Sequence, residues 1–417
     1  MSMEVASCRM RRSILIGLVV SLAVGGLQAQ GMEKIALMDS LDMAYWCDVE
    51  TREGTVKLIE DCLRPNANVI LWRDKGGGSW MRYPSKEEPA PYASEHGLDK
   101  RRNLPKFGSY WSLRLDTCFD VFSFVFDECQ RRNLGYGIHQ TYEENHTSNH
   151  NISLWNLNHP EFWNCANGGV PFPGTVSLAF PEVMAHKLRF ADEHIALKPQ
   201  RIFLDVWRSG NFDLKFEYVK PNIERWRKLY PGEALPKPTD ERWIRICSES
   251  TMGYLREYGR RCKAAGIQFV VGIPTSGQLG QGVSRKTCKG DVRDINHEFA
   301  WQTYGIDWHR LAKEGAVDGI WIMDVKYDEK DVWNSLKATL DYVVANRGKA
   351  KIYFGVDWYD NRHESIKTYA KNAGCSIGEA TRKLMTIAKE AGCAGVVYEC
   401  VDCHCYDAES CAELKKW

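Results

Sequence analysis

Short apolar runs rich in β-branched and aromatic residues alternate along the chain with longer stretches that carry apolar residues at helical spacing. The runs are MAYWCDV (43–49), ANVILWRD (67–74), LGYGIHQT (134–141), RIFLDVWR (201–208), IQFVVGIPT (267–275), DGIWIMDV (318–325), KIYFGVDW (351–358) and AGVVYEC (394–400). This alternation is what a parallel sheet with crossover helices requires, and eight strands is the number that closes into a barrel. The pattern therefore predicts a single α/β domain, a (β/α)8 TIM barrel.

Two segments compete for the first strand of this barrel. We assign the strand to MAYWCDV at 43–49, and KIALMDSL at 34–41 is the alternative, as a strand or as a helix. Both are apolar enough for either element, so periodicity does not separate them.

The stretches between the runs show the spacing of helices that pack on a sheet. They are TVKLIEDCL (55–63), DVFSFVFDECQRR (120–132), PEVMAHKLRFADEHIAL (181–197), TMGYLREYGRRCKAAG (251–266), VWNSLKATLDYVVANRG (332–348) and GEATRKLMTIAKEAG (378–392). Gly266, Gly315 and Gly392 precede the next strand closely. Glycine at that position ends a helix and leads into a short αβ loop.

Long polar segments follow the second, third and fourth predicted strands, at 76–111, 142–169 and 209–243. In a barrel these segments are βα loops, which build the active face. They are rich in Trp, Tyr, His and Asn, a composition that suits a carbohydrate-binding cleft.

Charge and composition narrow the class of partner. The chain has 55 Lys and Arg against 54 Asp and Glu, so it lacks the basic footprint that nucleic acid or an anionic membrane would require. Its 15 Trp and 18 Tyr supply planar rings of the kind that sugar faces stack on, although core packing is the alternative role for any one of them. Carbohydrate is therefore the expected partner.

The first 29 residues have the pattern of a secretory signal peptide. Arg9, Arg11 and Arg12 precede an apolar run from Ile14 to Val24, and small residues follow near Ala29. We predict cleavage after Ala29, one catalytic domain over 30–417, and a secreted or periplasmic location. No later run approaches the length of a membrane span, so no membrane association is expected after the signal is removed.

Cysteine usage suits an oxidising compartment, in which several disulfides persist. The chain has 15 cysteines, and five of them, Cys393, Cys400, Cys403, Cys405 and Cys411, surround His404 in a Cys-rich tail. Disulfides or buried thiols are the leading interpretation of the tail. Zinc is the alternative, although the second ligand pair that makes such spacing specific is missing. We assign no metal and no cofactor.

Polar residues recur at the carboxyl ends of the predicted strands, which open onto one shared face in a parallel barrel. They are Arg73, Asp74, His139, Tyr142, Glu143, Asp205, Arg208, Thr275, Asp324, Lys326, Asp357 and Glu399. Asp is common where strands stop, so each residue alone has a structural explanation. Their convergence on one face indicates a functional site.

Several segments resemble a known group of barrels. They are NVILWRDKGGGSWMRYPS, FDVFSFVFDECQRRNLGYGIHQTYEENH, HPEFW, FPGTVSLAFPEVMAHKLRFADEHIALKPQRIFLDVWRSGNF and DWHRLAKEGAVDGIWIMD. These are similar to segments of the glycosyl-hydrolase-like 10 family and related glycoside hydrolase-like barrels, over about residues 40 to 400. The chain departs from that group where RIFLD replaces the usual Asp-Gly before the strand, and in its Cys-rich tail. The resemblance implies a (β/α)8 barrel that acts on carbohydrate.

Asp205 is the first candidate for a catalytic carboxylate, as the nucleophile if the glycosidase is a retaining one; the stereochemistry, retaining or inverting, stays open, as does which carboxylate is the acid. It ends the fourth strand, and Arg208 follows closely enough to orient it through an opposite charge. A positioned carboxylate is what such an enzyme needs as nucleophile. The alternative is an Asp–Arg pair that only braces the loop.

A second carboxyl group must protonate the leaving oxygen. Asp324, at the end of the sixth strand, is the first choice, and Glu399 and Asp357 are the reserves. Retaining barrels of similar layout often place these two groups on strands four and six, which is an analogy of architecture. For Glu399, an ion pair with a neighbouring cation is the alternative.

Substrate binding is assigned to polar and aromatic side chains of the same face, by hydrogen bonds to hydroxyl groups and by stacking on pyranose rings. The residues are Arg73, His139, Tyr142, Glu143, Trp207, Arg208, Asp357 and Trp358. A structural histidine or a packed indole is the alternative for each ring.

Three hypotheses follow. The first is a secreted glycoside hydrolase that uses a carboxylate pair on an oligo- or polysaccharide. The second is a non-catalytic carbohydrate-binding barrel or an inactive glycosidase relative. The third is a metal-dependent barrel hydrolase around His139 and Asp205, which lacks the paired histidines that such sites usually show.

Overall fold

The computed structural model describes residues 31–38, 51–76, 80–81, 85–87, 120–142, 153–206, 214–274, 301, 303–323, 330–357, 366–399 and 407–417. Contacts divide the chain into Met1–Met32 and Glu33–Trp417. The second unit contains all the elements below, and the predicted signal segment lies outside the described residues.

Strands and helices alternate through this unit. The strands are β1 (Glu33–Met38), β2 (Val69–Arg73), β3 (Lys75–Gly76), β4 (Trp80–Met81), β5 (Gly135–Thr141), β6 (Trp163–Ala166), β7 (Val170–Val176), β8 (Arg201–Asp205), β9 (Gln268–Pro274), β10 (Gly319–Met323), β11 (Lys351–Asp357) and β12 (Gly395–Glu399). The helices are α1 (Arg52–Leu63), α2 (Val121–Arg131), α3 (Leu154–Asn158), α4 (Pro181–Ala196), α5 (Lys220–Leu229), α6 (Glu241–Ala264), α7 (Trp308–Glu314), α8 (Val332–Asn346), α9 (Ile366–Ala373), α10 (Ile377–Ala391) and α11 (Ala408–Leu414).

Eight of the strands form a closed parallel barrel. Their order around the ring is β1, β2, β5, β8, β9, β10, β11 and β12, and β12 pairs with β1 again. Each step around the ring follows the chain, as the right-handed strand–helix–strand connections of this fold require. The predicted (β/α)8 TIM barrel is confirmed.

The first barrel strand lies earlier than we assigned it. β1 is Glu33–Met38, within the alternative segment 34–41, and it pairs with β12 on one side and β2 on the other. The assignment to 43–49 is therefore wrong as a barrel strand, because the closed ring has no free edge for another strand. Four consecutive side chains from Ile35 to Met38 are at most 1% exposed, as a strand packed on both faces requires. Residues 43–49 lie outside the described residues.

Apolar side chains fill the middle of the barrel. They form a single cluster of Ile35, Leu37, Val69, Leu71, Phe203, Val270, Trp321, Met323, Tyr353 and Val397. At the amino end of the strands, polar groups close the barrel. Arg201 Nη1 lies 2.6 Å from Glu33 Oε2, and Gln268 Nε2 donates to the Tyr353 hydroxyl at 2.8 Å. The carboxyl end is thus separated from the amino end by a packed apolar layer.

Glycine is required on β5 because the neighbouring strands approach its backbone. A Cβ atom built on Gly137 would lie 2.5 Å from the Arg201 carbonyl oxygen and 2.9 Å from Leu71 Cδ2. Gly137 pairs with Arg201 in the register of β5 and β8. The barrel wall has no room for a side chain at this position.

The predicted helices are present, and their glycine ends have the expected geometry. Gly315 and Gly392 end α7 and α10 in the left-handed conformation, with φ of 68° and 83°. The predicted helix at 251–266 is the second half of α6, which begins at Glu241 after Asp240 accepts a hydrogen bond from Arg242 N. Within the described ranges, no helix combines the length and apolar character that crossing a bilayer requires.

The segment that we predicted as a long loop after the third barrel strand contains structure of its own. From residue 153 onwards it forms α3, a 3-10 turn at Pro160–Phe162, and the antiparallel hairpin of β6 and β7. The hairpin leads directly towards α4. The predicted loop after the fourth barrel strand likewise contains a 3-10 turn at Leu214–Phe216 and α5, and α6 begins within it at Glu241. The predicted loop after the second barrel strand lies largely outside the described residues.

Seven of the described cysteines carry free thiols. They are Cys129, Cys165, Cys247, Cys262, Cys375, Cys393 and Cys411. Most of them are buried and pack as small apolar groups. The expectation of disulfides is therefore not met at these positions, and Cys400, Cys403, His404 and Cys405 of the tail lie outside the described residues.

We expect Gly137→Ala to destabilise the protein, because the added methyl group overlaps backbone that cannot move without opening the barrel. Overpacking of this kind costs about 1–3 kcal/mol. Gly253→Ala in α6 is the matched control, since a Cβ atom there meets nothing within 4 Å and alanine is the better helix former. Denaturant unfolding followed by far-UV circular dichroism measures both, and an unchanged midpoint for Gly137→Ala would contradict the packing argument.

We expect Cys129 and Cys393 to carry free thiols that react slowly. Burial raises the pKa of each thiol to about 12, so both stay protonated at pH 8, and the thiolate is the reactive form. Iodoacetamide should label the half-buried Cys165 and Cys411 first in the native protein, and all four in unreduced, denatured protein. Peptide mass spectrometry reads the labels. Disulfide-linked peptides among these four cysteines would be inconsistent with the structure.

Candidate active site

Three polar side chains lie at the carboxyl ends of neighbouring barrel strands. Arg73 ends β2, His139 lies near the end of β5, and Asp205 ends β8. Arg73 is opposite His139 in the strand register, and Thr141 is opposite Asp205. Each of these side chains is buried. Arg73, His139 and Asp205 therefore lie at the end of the barrel where the sequence places them, and their roles in a site stay predictions.

His139 and Asp205 contact each other across two neighbouring strands. His139 Nε2 lies 3.4 Å from Asp205 Oδ2, and both residues have no solvent exposure. The His139 ring also meets Trp321 edge to face, with ring centroids 5.6 Å apart. The His139 ring is therefore held between the Trp321 indole and the Asp205 carboxylate. In this position the imidazole can orient a carboxylate oxygen.

Arg73 brings a guanidinium into the same layer. Its Nε donates to Thr141 Oγ1 at 3.2 Å, and the residue is 1% exposed. A buried cation is stable only with hydrogen-bond acceptors or anions around it. Arg73 therefore adds a positive charge to the wall that also carries Asp205.

The seventh and eighth barrel strands bring two further acidic residues to the same level. Asp357 and Glu399 are the last residues of β11 and β12, and they are opposite each other in the strand register. The structure describes only their backbone. Their place in the ring is as the sequence predicted, at carboxyl strand ends.

Tyr142 lies behind the mouth of the barrel. Its backbone N donates to the Asp205 carbonyl oxygen at 3.0 Å, which extends the pairing of β5 and β8 by one residue. Its ring meets Tyr254 of α6 at a centroid distance of 5.5 Å, and Lys187 Nζ of α4 lies 5.6 Å from the ring centroid. The phenol thus packs in the layer between barrel and helices, and its contact with a substrate stays a prediction.

A buried Asp–His pair lies in that same layer, and sequence reasoning missed it. Asp74 follows β2 directly and was recognised as a strand-end carboxylate, but its partner His194 lies in α4, 120 positions away. His194 Nε2 is 3.0 Å from Asp74 Oδ2, and neither residue is exposed. A lone histidine in an amphipathic helix carries no signal that would identify it.

A second buried carboxylate that sequence reasoning missed lies in the segment after β8. Glu217 accepts hydrogen bonds from Asn164 Nδ2 at 2.8 Å, Ser177 Oγ at 2.7 Å and Asn222 Nδ2 at 3.0 Å. It joins β6, the end of β7 and the start of α5. Burial first, and this carboxylate second, raise the pKa of the Cys165 thiol. Glu217 anchors the hairpin to the loop that follows Asp205.

The loop after β2 returns to the surface of α4. Glu193 accepts hydrogen bonds from Ser85 Oγ at 2.5 Å and from the backbone N of Lys86 at 2.7 Å. Glu87 lies 3.2 Å from His186 Nδ1, and His186 stacks on Trp155 at a centroid distance of 4.0 Å. The second and third βα segments therefore meet on α4, beside the barrel mouth.

The other predicted site residues lie outside the described residues. They are Glu143, Trp207, Arg208, Asp324 and Trp358. Within the described ranges, no three His, Cys, Asp or Glu side chains converge as a metal site would require.

Comparison with solved structures gives similar folds at low identity. The chain is similar to the glycoside hydrolase domain of PgaB (BpsB) from Bordetella bronchiseptica, with a TM-score of 0.55 and 12% identity over 92% of this chain and 98% of that chain. It is also similar to α-L-fucosidase isoenzyme 2 from Paenibacillus thiaminolyticus, with a TM-score of 0.52 and 11% identity over 92% of this chain and 48% of that chain. A third is β-galactosidase from the psychrophilic Marinomonas ef1, with a TM-score of 0.51 and 9% identity over 92% of this chain and 58% of that chain.

These likenesses show that the chain has a barrel fold which glycoside hydrolases use. This chain spans about half the length of the fucosidase and somewhat more of the galactosidase. No family model and no curated protein matches the chain. The resemblance to the glycosyl-hydrolase-like 10 family therefore stays a prediction.

Proposed function

We propose that the protein is a glycoside hydrolase that cleaves glycosidic bonds in an oligo- or polysaccharide with a pair of carboxyl groups. The observation that carries the proposal is Asp205 at the carboxyl end of the fourth barrel strand, 3.4 Å from His139 and in the same layer as Arg73. Catalytic residues of this fold sit at that end of the strands.

Asp205 is the proposed nucleophile, because one contact holds its carboxylate and another holds its backbone. His139 Nε2 orients one oxygen, and the Asp205 backbone is fixed by the hydrogen bond from Tyr142 N. A nucleophile that is held in one orientation loses little entropy on the way to the transition state. Release of one Asp205 oxygen from His139 towards the sugar is the change that substrate binding must bring about.

Asp324 is the proposed acid, and Glu399 is the reserve. Asp324 directly follows Met323, the last residue of the sixth barrel strand, and Glu399 ends the eighth. Both strands end on the same face of the closed ring as the fourth strand, which carries Asp205, and this face is where catalytic residues of the fold sit. A carboxyl group there could protonate the leaving oxygen.

The proposed substrate contacts come from the same strand ends and the loops that follow them. Arg73, His139, Tyr142, Glu143, Arg208 and Asp357 are proposed to bind hydroxyl groups, and Trp207 and Trp358 to stack on sugar rings. The similarity to glycosidase barrels supports the barrel fold on which this proposal depends. The strand-end residues support the proposed cleavage by carboxyl groups.

We also propose that the protein is exported from the cytoplasm. An apolar segment preceded by arginines in residues 1–29 would direct the chain to the periplasm or the exterior, where polysaccharides are accessible. The domain that acts there is 30–417.

A carbohydrate-binding barrel without turnover is the second candidate function. It is favoured by the complete burial of Asp205, which leaves the carboxylate no exposed surface. Such a protein would bind a glycan through the same rim and leave its bonds intact.

Asp205→Asn and Asp324→Asn should each lower kcat by about a hundredfold or more, because each removes a group that acts on the reacting atoms. Wild type is first screened against plant, algal and microbial glycans by reducing-end release, and the variants are then measured on the glycan that is cleaved. Asp341→Asn is the matched control, since this carboxylate is exposed on α8 and pairs only with Lys337 among described residues.

The outcomes separate the two candidates. Cleavage by wild type and by Asp341→Asn, with both site variants impaired, supports the hydrolase. Equal cleavage by all four proteins would refute the assignment of Asp205 and Asp324. Binding of a glycan without release of reducing ends by wild type would favour the binding barrel.

A further inference from the structure

Asp74 and His194 form a buried pair that joins the barrel wall to α4. His194 Nε2 lies 3.0 Å from Asp74 Oδ2, and His194 Nδ1 lies 3.0 Å from the carbonyl oxygen of Phe190, one turn earlier in the helix. Both side chains have no exposure. Two buried polar groups of this kind persist only when hydrogen bonds compensate for the lost water.

The contacts of the His194 ring fix the direction of one of its hydrogen bonds. Nδ1 faces the Phe190 carbonyl oxygen, which can only accept, so Nδ1 is the donor of that bond. Nε2 faces Asp74 Oδ2, so the ring links α4 to the residue that follows β2.

Asp74 connects this pair to the mouth of the barrel through two backbone contacts. Its Oδ1 accepts from Thr141 N at 3.0 Å, and its own backbone N donates to the His139 carbonyl oxygen at 2.9 Å. Arg73, the preceding residue, donates to Thr141 Oγ1. Asp74 therefore holds the end of β5 by backbone contacts on either side of Gln140, between His139 and Thr141.

We propose that Asp74 and His194 are positioning residues, which lock the end of β5 so that His139 meets Asp205. The inference rests on the proposed function, because it assigns a role towards that site. The pair acts through the backbone of β5, which Asp74 contacts at His139 O and Thr141 N. Its contribution is hydrogen-bond geometry.

Two substitutions of Asp74 distinguish an effect of hydrogen-bond geometry from an effect of the charge of its carboxyl group. In Asp74→Asn, the amide oxygen can still accept from Thr141 N, and the amide nitrogen can donate to Nε2 of a neutral His194. All hydrogen bonds of the pair then persist without an ionisable group at position 74. In Asp74→Ala, Thr141 N and His194 Nε2 both lose the acceptor or donor that they face.

The first measurement needs no substrate. The His139 ring signals are assigned in a histidine side-chain 1H–15N spectrum by their loss in His139→Gln. We expect Asp74→Asn to leave these signals in place and Asp74→Ala to shift them. His194→Phe keeps the ring packed edge-on against Phe190 but lacks both nitrogens, and should shift the His139 signals as Asp74→Ala does. If Asp74→Ala does not fold, His194→Phe replaces it in the comparison.

Tyr258→Phe is the matched control. The Tyr258 hydroxyl donates to Gln140 Oε1 at 2.5 Å, which is another buried hydrogen bond between β5 and a helix. Its loss should lower the thermal midpoint of unfolding without moving the His139 signals. A Tyr258→Phe variant that shifts His139 as much as Asp74→Ala would show that any loss of packing around β5 has the same effect, and the proposal would fail.

The second measurement uses the glycan identified for wild type. We expect Asp74→Ala to lower kcat by up to about a hundredfold with KM nearly unchanged, since a displaced reacting group costs rate more than binding. Asp74→Asn should stay within about threefold of wild type. Equal damage by both substitutions would show that charge matters and would refute the geometric role. If no glycan is cleaved, the proposed function fails, while the His139 spectra still decide the positioning role.

Discussion

Closure of the strand ring is the constraint on which the rest of this structure depends. Every barrel strand has two hydrogen-bonded neighbours, and β1 completes the ring between β12 and β2. Closure removes all free edges and directs alternate side chains of each strand into one narrow interior. Packing then requires an apolar middle layer and glycine where backbone approaches too closely, as at Gly137. The polar groups are left to the two ends of the barrel.

Buried charged groups have different partners at the amino end and at the carboxyl end of the barrel. At the amino end, Glu33 and Arg201 pair directly at 2.6 Å and close the barrel. At the carboxyl end, Asp205 meets His139, and Arg73 meets a hydroxyl group. The carboxyl end thus holds a carboxylate, an imidazole and a guanidinium close together. It is the end at which catalytic residues of this fold sit and the site of the proposed chemistry.

The sequence placed Arg73, His139 and Asp205 at the carboxyl face because each stands at or near the end of an apolar run, and parallel strands end on one face. The structure has them at these strand ends, and their roles stay predictions. Prediction failed for His194 and Glu217, whose partners lie far away in the chain. Tyr142 was assigned to the mouth on the same argument as its neighbours, but its ring packs against α4 and α6. The position of a residue at a strand end determines how far along the barrel axis it lies, but it does not determine which way its side chain points.

The amino-acid sequence by itself determined the number of strand–helix units, the class of the fold and the glycine helix ends, because these depend on local periodicity and backbone preference. It left the first strand undecided between two apolar segments, and only the tertiary structure chose Glu33–Met38, since one segment alone can bridge β12 and β2. The tertiary structure also decided which polar groups meet. Contacts such as Asp74 with His194 join residues 120 positions apart, and no local pattern carries information about a partner at that distance.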